Sequence, residues 1–128
     1  MHNYKHSTQM MQVLLVLTML LFINPAMAVS GDPVAARQAW PMIEQGALLI
    51  DVRTAEEFDQ GHIDGALNIP FQETDQLMTA IGHDKQRQVV VYCRSGHRAG
   101  KAKQVLESNG YKRVFNASGY EALVLTKP

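Results

Sequence analysis

The sequence predicts an α/β domain: a mostly parallel central sheet with helices on both faces. Three observations carry that expectation. Apolar runs recur without polar alternation, at Ala47-Leu48-Leu49-Ile50, Val89-Val90-Val91-Tyr92 and Val114-Phe115, as strands covered on both sides require. Stretches of helical periodicity fall between these runs. Glycines such as Gly46 and Gly110 close the helical stretches and return the chain to the next strand. Strand and helix in alternation make a parallel sheet built from crossover units.

In chain order, Asp32 reads as an N-cap and Pro33 as the first residue of a helix reaching Gln45, with Pro41 expected to kink or break it near Trp40. Ala47 to Val52 is the first strand. Thr54-Ala55-Glu56-Glu57 is a capping box opening a short helix through Phe58 and Asp59. Gly61 to Gly65 is a loop, and Ala66 to Pro70 a short strand stopped by proline. Leu77, Met78 and Ile81 give the apolar stripe of a helix lying within Glu73 to Ile81. The central strand, Val89 to Tyr92, leads to Cys93 and a helix with Ala99, Ala102, Val105 and Leu106 on one face. Lys112 to Asn116 is the last strand. Ser118-Gly119 then turns into a final helical turn, Tyr120 to Val124. Trp40 is expected to pack against the sheet.

Residues 1–28 read differently. A polar start with one lysine and no acid is followed by eleven apolar residues, Val13 to Ile23, and by Ala26-Met27-Ala28. That is the layout of a secretory signal peptide, with cleavage expected after Ala28. The apolar run is shorter than the roughly 20 residues that span a bilayer, and Asn24-Pro25 interrupts it, so no stable membrane insertion is expected after cleavage. Residues 29–128 form one domain with a periplasmic or secreted location. They carry 11 basic residues (the chain's 12 less Lys5) against 12 acidic ones. No global field points to nucleic acid or to an anionic membrane. Any affinity for anions must be local.

It is local at Gln88 to Asn109, around the chain's single cysteine. Between Cys93 and Lys103 fall Arg94, Arg98, Lys101 and Lys103, and no acid. Helix N-termini carry unpaired N–H groups and partial positive charge, and arginines beside one are unfavourable until an anion arrives. Gly96 lets successive amides of the loop turn inward as a nest. A thiol in such a loop is expected to ionise more readily than usual and to act as a nucleophile. His62, His83 and His97 have no ligand spacing and Cys93 has no partner cysteine, so neither metal nor cofactor is expected.

At these residues the chain resembles the single-domain rhodaneses (thiosulfate sulfurtransferases), most of all the small exported forms of the phage-shock-protein E type. Three motifs carry the resemblance: Leu49-Ile50-Asp51-Val52-Arg53 followed by Glu56-Glu57-Phe58; Gly61 to Pro70; and Val91-Tyr92-Cys93-Arg94-Ser95-Gly96-His97-Arg98-Ala99. The resemblance implies a rhodanese-like fold and a ping-pong cycle. In it Cys93 takes the outer sulfur of thiosulfate as a persulfide, releases sulfite, and passes the sulfur to cyanide or a thiol. It implies that loop amides from Arg94 through Ser95, Gly96 and His97 to Arg98 cradle the persulfide. Arg94 and Arg98 are expected to hold the sulfonate end. Asp51, Arg53, Glu57 and His62 match positions read as structural support: Arg53 is expected to pair with a carboxylate, and His62 to make a structural hydrogen bond beside Gly61. His97 stands at a variable position. The chain departs from the family pattern near its end, with Ser118-Gly119 where Gly-Gly is common and Leu123-Val124 where a tryptophan often stands. A short final helix and a more open site are expected there.

Two other readings use the same thiol. A sulfur carrier would exchange persulfide with a protein donor or acceptor. A cysteine phosphatase or arsenate reductase would place five residues between cysteine and arginine, whereas four separate Cys93 from Arg98. The shorter loop suits one sulfur atom better than a phosphoryl group.

Overall fold

The computed structural model describes residues 28–128; Met1 to Met27, and with them nearly all of the expected leader, lie outside the described residues. In chain order the elements are α1 (Pro33–Glu44), β1 (Leu48–Asp51), α2 (Ala55–Asp59), β2 (Leu67–Asn68), α3 (Thr74–Ile81), β3 (Val89–Cys93), α4 (His97–Ser108), β4 (Val114–Gly119) and α5 (Tyr120–Thr126). The strands form one parallel sheet of four in the order β2-β1-β3-β4. A mostly parallel sheet with helices on both faces is what the apolar runs predicted.

The central strand shows why. All five residues of β3 are buried, and successive side chains of a strand point to opposite faces. Val89, Val91 and Cys93 pack with Leu77 and Ile81 of α3 and with Ala99, Ala102 and Leu106 of α4. Val90 and Tyr92 pack on the other face with Ala36, Ala39 and Trp40 of α1 and with Ala122 and Leu123 of α5. Trp40 does pack there, its indole N–H donating to the Leu123 carbonyl and the Thr126 hydroxyl, each at 3.2 Å.

Three differences from the sequence reading have physical causes. Pro41 does not break α1, which runs unbroken through it to Glu44. The carbonyl that a proline at 41 leaves without its helical partner belongs to Arg37, and both residues are exposed, so water can reach it. β4 continues to Gly119 instead of stopping at Asn116, because Val91 pairs with Asn116 and Cys93 with Gly119. One extra residue on β4 opposite Tyr92 makes a β-bulge, and Ser118 within it has φ 72°. Finally, α5 extends to Thr126, two residues past the expected turn, so the last helix is not cut to a single turn.

Candidate active site

The parallel sheet sends the C-terminal ends of β1, β3 and β4 to one edge, where binding sites of open α/β sheets lie. β3 delivers Cys93 there. The residue is 1 % exposed, so the thiol is covered where the strand ends. Gly96 caps α4 at φ 101° and turns the loop back over the thiol, its N–H donating to Cys93 Sγ at 3.0 Å. A side chain at Gly96 would be strained by that φ and would put Cβ 3.1 Å from Ser118 Cα. No side chain caps α4, so its first-turn amides remain available to an anion. His97 opens α4 and is exposed; Ser95 is exposed on the loop.

The two loop arginines part company. Arg94 is exposed and lines a cleft of about 430 Å³ together with Ser30, Arg53, Glu57, Gln60, Gly61, Tyr120 and Glu121. The Arg98 fork is instead taken by Glu57, Nη1 to Oε1 at 2.7 Å and Nη2 to Oε2 at 3.0 Å. The absence of acid near Cys93 in sequence is thus made good by a carboxylate 41 positions before Arg98. Only Arg94 of the two presents a guanidinium without a carboxylate partner in the described structure. Glu57 is aimed by its own helix start: Thr54 caps α2, and the reciprocal capping box forms as expected.

The paired guanidinium of Arg98, helped by the Thr54 N–H, lowers the Glu57 pKa to about 2. A carboxylate depressed in the folded state contributes stability that is complete above its unfolded value of about 4.3 and vanishes as pH falls through about 2. The fall from about 4.3 to about 2 corresponds to roughly 3 kcal/mol at most. Because both side chains are about a quarter exposed, about 1–2 kcal/mol is the better expectation. Denaturant midpoints of wild type and Glu57→Gln should therefore differ near neutrality and converge as pH approaches 2. A gap that is constant over that range would rule the pair out as its source.

Asp51, fully buried at the end of β1, meets Arg53 through Nε at 3.0 Å from both its oxygens and Nη2 at 2.6 Å. Hydrogen bonds and charge from Asp51 outweigh the cost of burying the guanidinium, and the Arg53 pKa is raised. Arg53 Nη2 also reaches the Gly61 carbonyl at 2.8 Å, and its guanidinium lies 4.5 Å from the Tyr120 ring centre. Tyr92, whose hydroxyl pKa is raised by burial, accepts the Ile63 N–H at 3.1 Å. The loop from Gly61 to Ile63 is thereby tied to β1 and β3. His62 Nδ1 lies 3.0 Å from the Phe58 carbonyl, which can only accept, so this nitrogen carries the proton. Its ring stacks on Phe58 with centres 3.6 Å apart.

Sequence reading thus names the thiol loop and its supports but misses Ser30, Gln60, Tyr120 and Glu121 on the cleft wall. Only the departures at Ser118-Gly119 and Leu123-Val124 hinted that the chain end matters to the site. Among the described residues no group of three or more His, Cys, Asp or Glu side chains is arranged to hold a metal ion.

Comparison with known proteins gives the family. Residues 35–123 match the family model of the rhodanese-like domain. The chain is 37 % identical over 95 residues to the thiosulfate sulfurtransferase PspE of Escherichia coli strain K12, covering 74 % of this chain and 83 % of that one. A solved structure of a rhodanese with anions from E. coli superposes with a TM-score of 0.57 at 41 % identity, over 60 % of this chain and 91 % of that one. The tRNA uridine(34) hydroxylase of Sodalis glossinidius is 34 % identical over 77 residues, which is 57 % of this chain but 22 % of that protein. The chain therefore spans about a fifth of that relative's length.

Proposed function

This chain belongs to the rhodanese-like domain family and is a sulfurtransferase of the rhodanese type, and on that premise we propose that it works through a Cys93 persulfide. The Cys93 thiolate attacks the outer sulfur of thiosulfate; the S–S bond breaks, and sulfite leaves with the bonding pair. The negative outer sulfur on Cys93 is held by loop amides between Arg94 and Arg98. An acceptor, cyanide or a thiolate, then attacks that sulfur, and the Cys93 thiolate leaves. Arg94 receives the sulfonate and stabilises departing sulfite. Arg98, its fork closed on Glu57, keeps α4 and α2 in register and lends charge at longer range.

The observation that carries this reading is the Gly96 N–H directed at Cys93 Sγ at 3.0 Å, ahead of an uncapped helix N-terminus. The covered thiol supports it further: a slim terminal sulfur can approach end-on where a phosphoryl group with its oxygens cannot. The test is the intact mass of the protein after incubation with thiosulfate, set beside Cys93→Ser. The same half-reaction would serve a sulfur carrier loaded by a protein partner. Steady-state thiosulfate:cyanide turnover separates the two, being slow if thiosulfate is incidental.

Export supplies the setting. Cleavage after Ala28 would leave Val29 as the first residue, with residues 29–128 as the domain. Ser30 is already part of the site: its N–H donates to Glu121 Oε2 at 2.9 Å and its hydroxyl to the Arg94 carbonyl at 3.0 Å. Such a cut spares these contacts by one residue, Val29. N-terminal sequencing of protein recovered from the periplasm or medium should begin Val29-Ser30-Gly31, and a start beyond Ser30 would exclude this processing.

A further inference from the structure

The Arg94, Ser95 and Gly96 carbonyls each accept a hydrogen bond from a side chain outside the loop. Ser30 Oγ donates to the Arg94 carbonyl at 3.0 Å, Ser118 Oγ to Ser95 at 3.1 Å, and Asn116 Nδ2 to Gly96 at 2.9 Å. None of these donors touches the thiol. A peptide unit is planar and trans, so its C=O and the following N–H point opposite ways, and fixing one fixes the other. Pinning the Ser95 carbonyl therefore fixes the Gly96 N–H, the group 3.0 Å from Cys93 Sγ. Pinning the Arg94 carbonyl in the same way fixes the Ser95 N–H, and the Gly96 carbonyl, which Asn116 shares with the Gly100 N–H at 2.8 Å, fixes that of His97.

The central donor is held with particular care. Ser118 is the one non-glycine with positive φ among the described residues, at 72°, a conformation that disfavours a side chain. The β4 bulge puts it there, and Asn116 Oδ1 keeps it there by accepting its N–H at 2.9 Å. Its hydroxyl accepts the Asp32 N–H at 2.7 Å, which leaves its own hydrogen for Ser95. A glycine at 118 would adopt the same φ without strain yet bond nothing. Next to it, Gly119 lies so close beneath the loop that a Cβ would stand 2.7 Å from the Ser30 carbonyl, against the Arg94 carbonyl.

We infer that Ser118, with Ser30 and Asn116, is a positioning residue: these side chains hold the loop carbonyls outward so that the amides face Cys93 Sγ and the sulfur it receives. Resting on the persulfide reading, this assigns the amide orientation to side chains from the chain's start and end, beyond the cysteine loop itself. Loss of the Ser118 hydroxyl loosens the cradle without removing a donor. Deleting an oxyanion donor outright costs roughly 10²–10³ in rate, so misorienting one should cost about tenfold.

The experiment compares wild type, Ser118→Gly and Ser30→Ala by two readouts. The first is the single-turnover rate of sulfur uptake from thiosulfate. The second is the pH profile of Cys93 alkylation by iodoacetamide, which needs no sulfur donor. Ser118→Gly should lower the uptake rate about tenfold and move the alkylation profile to higher pH, because the thiolate loses an aligned N–H. Ser30→Ala, which leaves the β4 bulge untouched, should act in the same direction by about threefold. Alkylation profiles of both variants superimposable on wild type would overturn the assignment. Should wild type take no sulfur from thiosulfate, the donor is wrong, while the alkylation profiles still decide whether the brace exists.

Discussion

Incubated with thiosulfate and no reductant, the wild-type chain is expected to gain one sulfur atom, and Cys93→Ser none. The argument is one of leaving groups and geometry. Sulfite departs readily from a sulfane sulfur, but the persulfide left behind carries a negative terminal sulfur that must be stabilised where it forms. Beside Cys93 the means are an amide at 3.0 Å from its sulfur and an uncapped helix N-terminus, with the next residue, Arg94, exposed. Serine keeps the shape but offers a hydroxyl whose alkoxide is inaccessible near neutrality, so uptake should fall by at least about 10³-fold, to background. Cyanide should then strip the sulfur from wild type as thiocyanate and restore the original mass. A phosphate ester such as p-nitrophenyl phosphate should be untouched by either protein. An adduct that persists in Cys93→Ser would sink the assignment, since no second cysteine exists to carry it.

The parts of the site legible in the sequence share a cause: they depend on residues close together in the chain. The strand, cysteine and helix of 88–109 announce themselves because periodicity, glycine and charge are local signals. The Thr54–Glu57 capping box is equally local, and it forms. What Glu57 is for could not be read, because its partner Arg98 is brought to it by two crossovers. Reading Arg94 and Arg98 together as anion holders followed from local charge, two guanidiniums beside a helix start with no acid near them in the chain. The bulge in β4 was hidden for a related reason. Nothing in Asn116-Ala117-Ser118-Gly119 says that a strand will carry an extra residue, since the register is set by pairing with β3. Pro41 misled in the opposite direction: the local rule for proline is sound, but an exposed helix face lets water supply the missing partner.

The largest loss of stability is expected at Arg53. Asp51 is fully buried, and its carboxylate accepts hydrogen bonds from the Arg53 side chain and from the Arg53 backbone N–H. Arg53→Met keeps much of the volume but leaves that carboxylate without a cation. Breaking one side of a buried pair costs about 3–5 kcal/mol, against a total of about 5–15 kcal/mol for a domain of this size. Melting should fall by more than about 15 °C. The same arginine tethers the Gly61 carbonyl and lies against Tyr120, so whatever protein stays folded should also have a looser cleft wall and lower turnover. Arg53→Lys should be intermediate, because an ammonium keeps the charge but cannot fork across both oxygens. The double variant Asp51→Asn with Arg53→Met should recover about 1–3 kcal/mol of the loss, since an amide is far cheaper to bury than an unpaired carboxylate. That recovery separates the two possible origins of the effect. If the double variant is no better than Arg53→Met alone, the damage lies in the lost contacts to Gly61 and Tyr120, and the charge of Asp51 is not what makes Arg53 necessary.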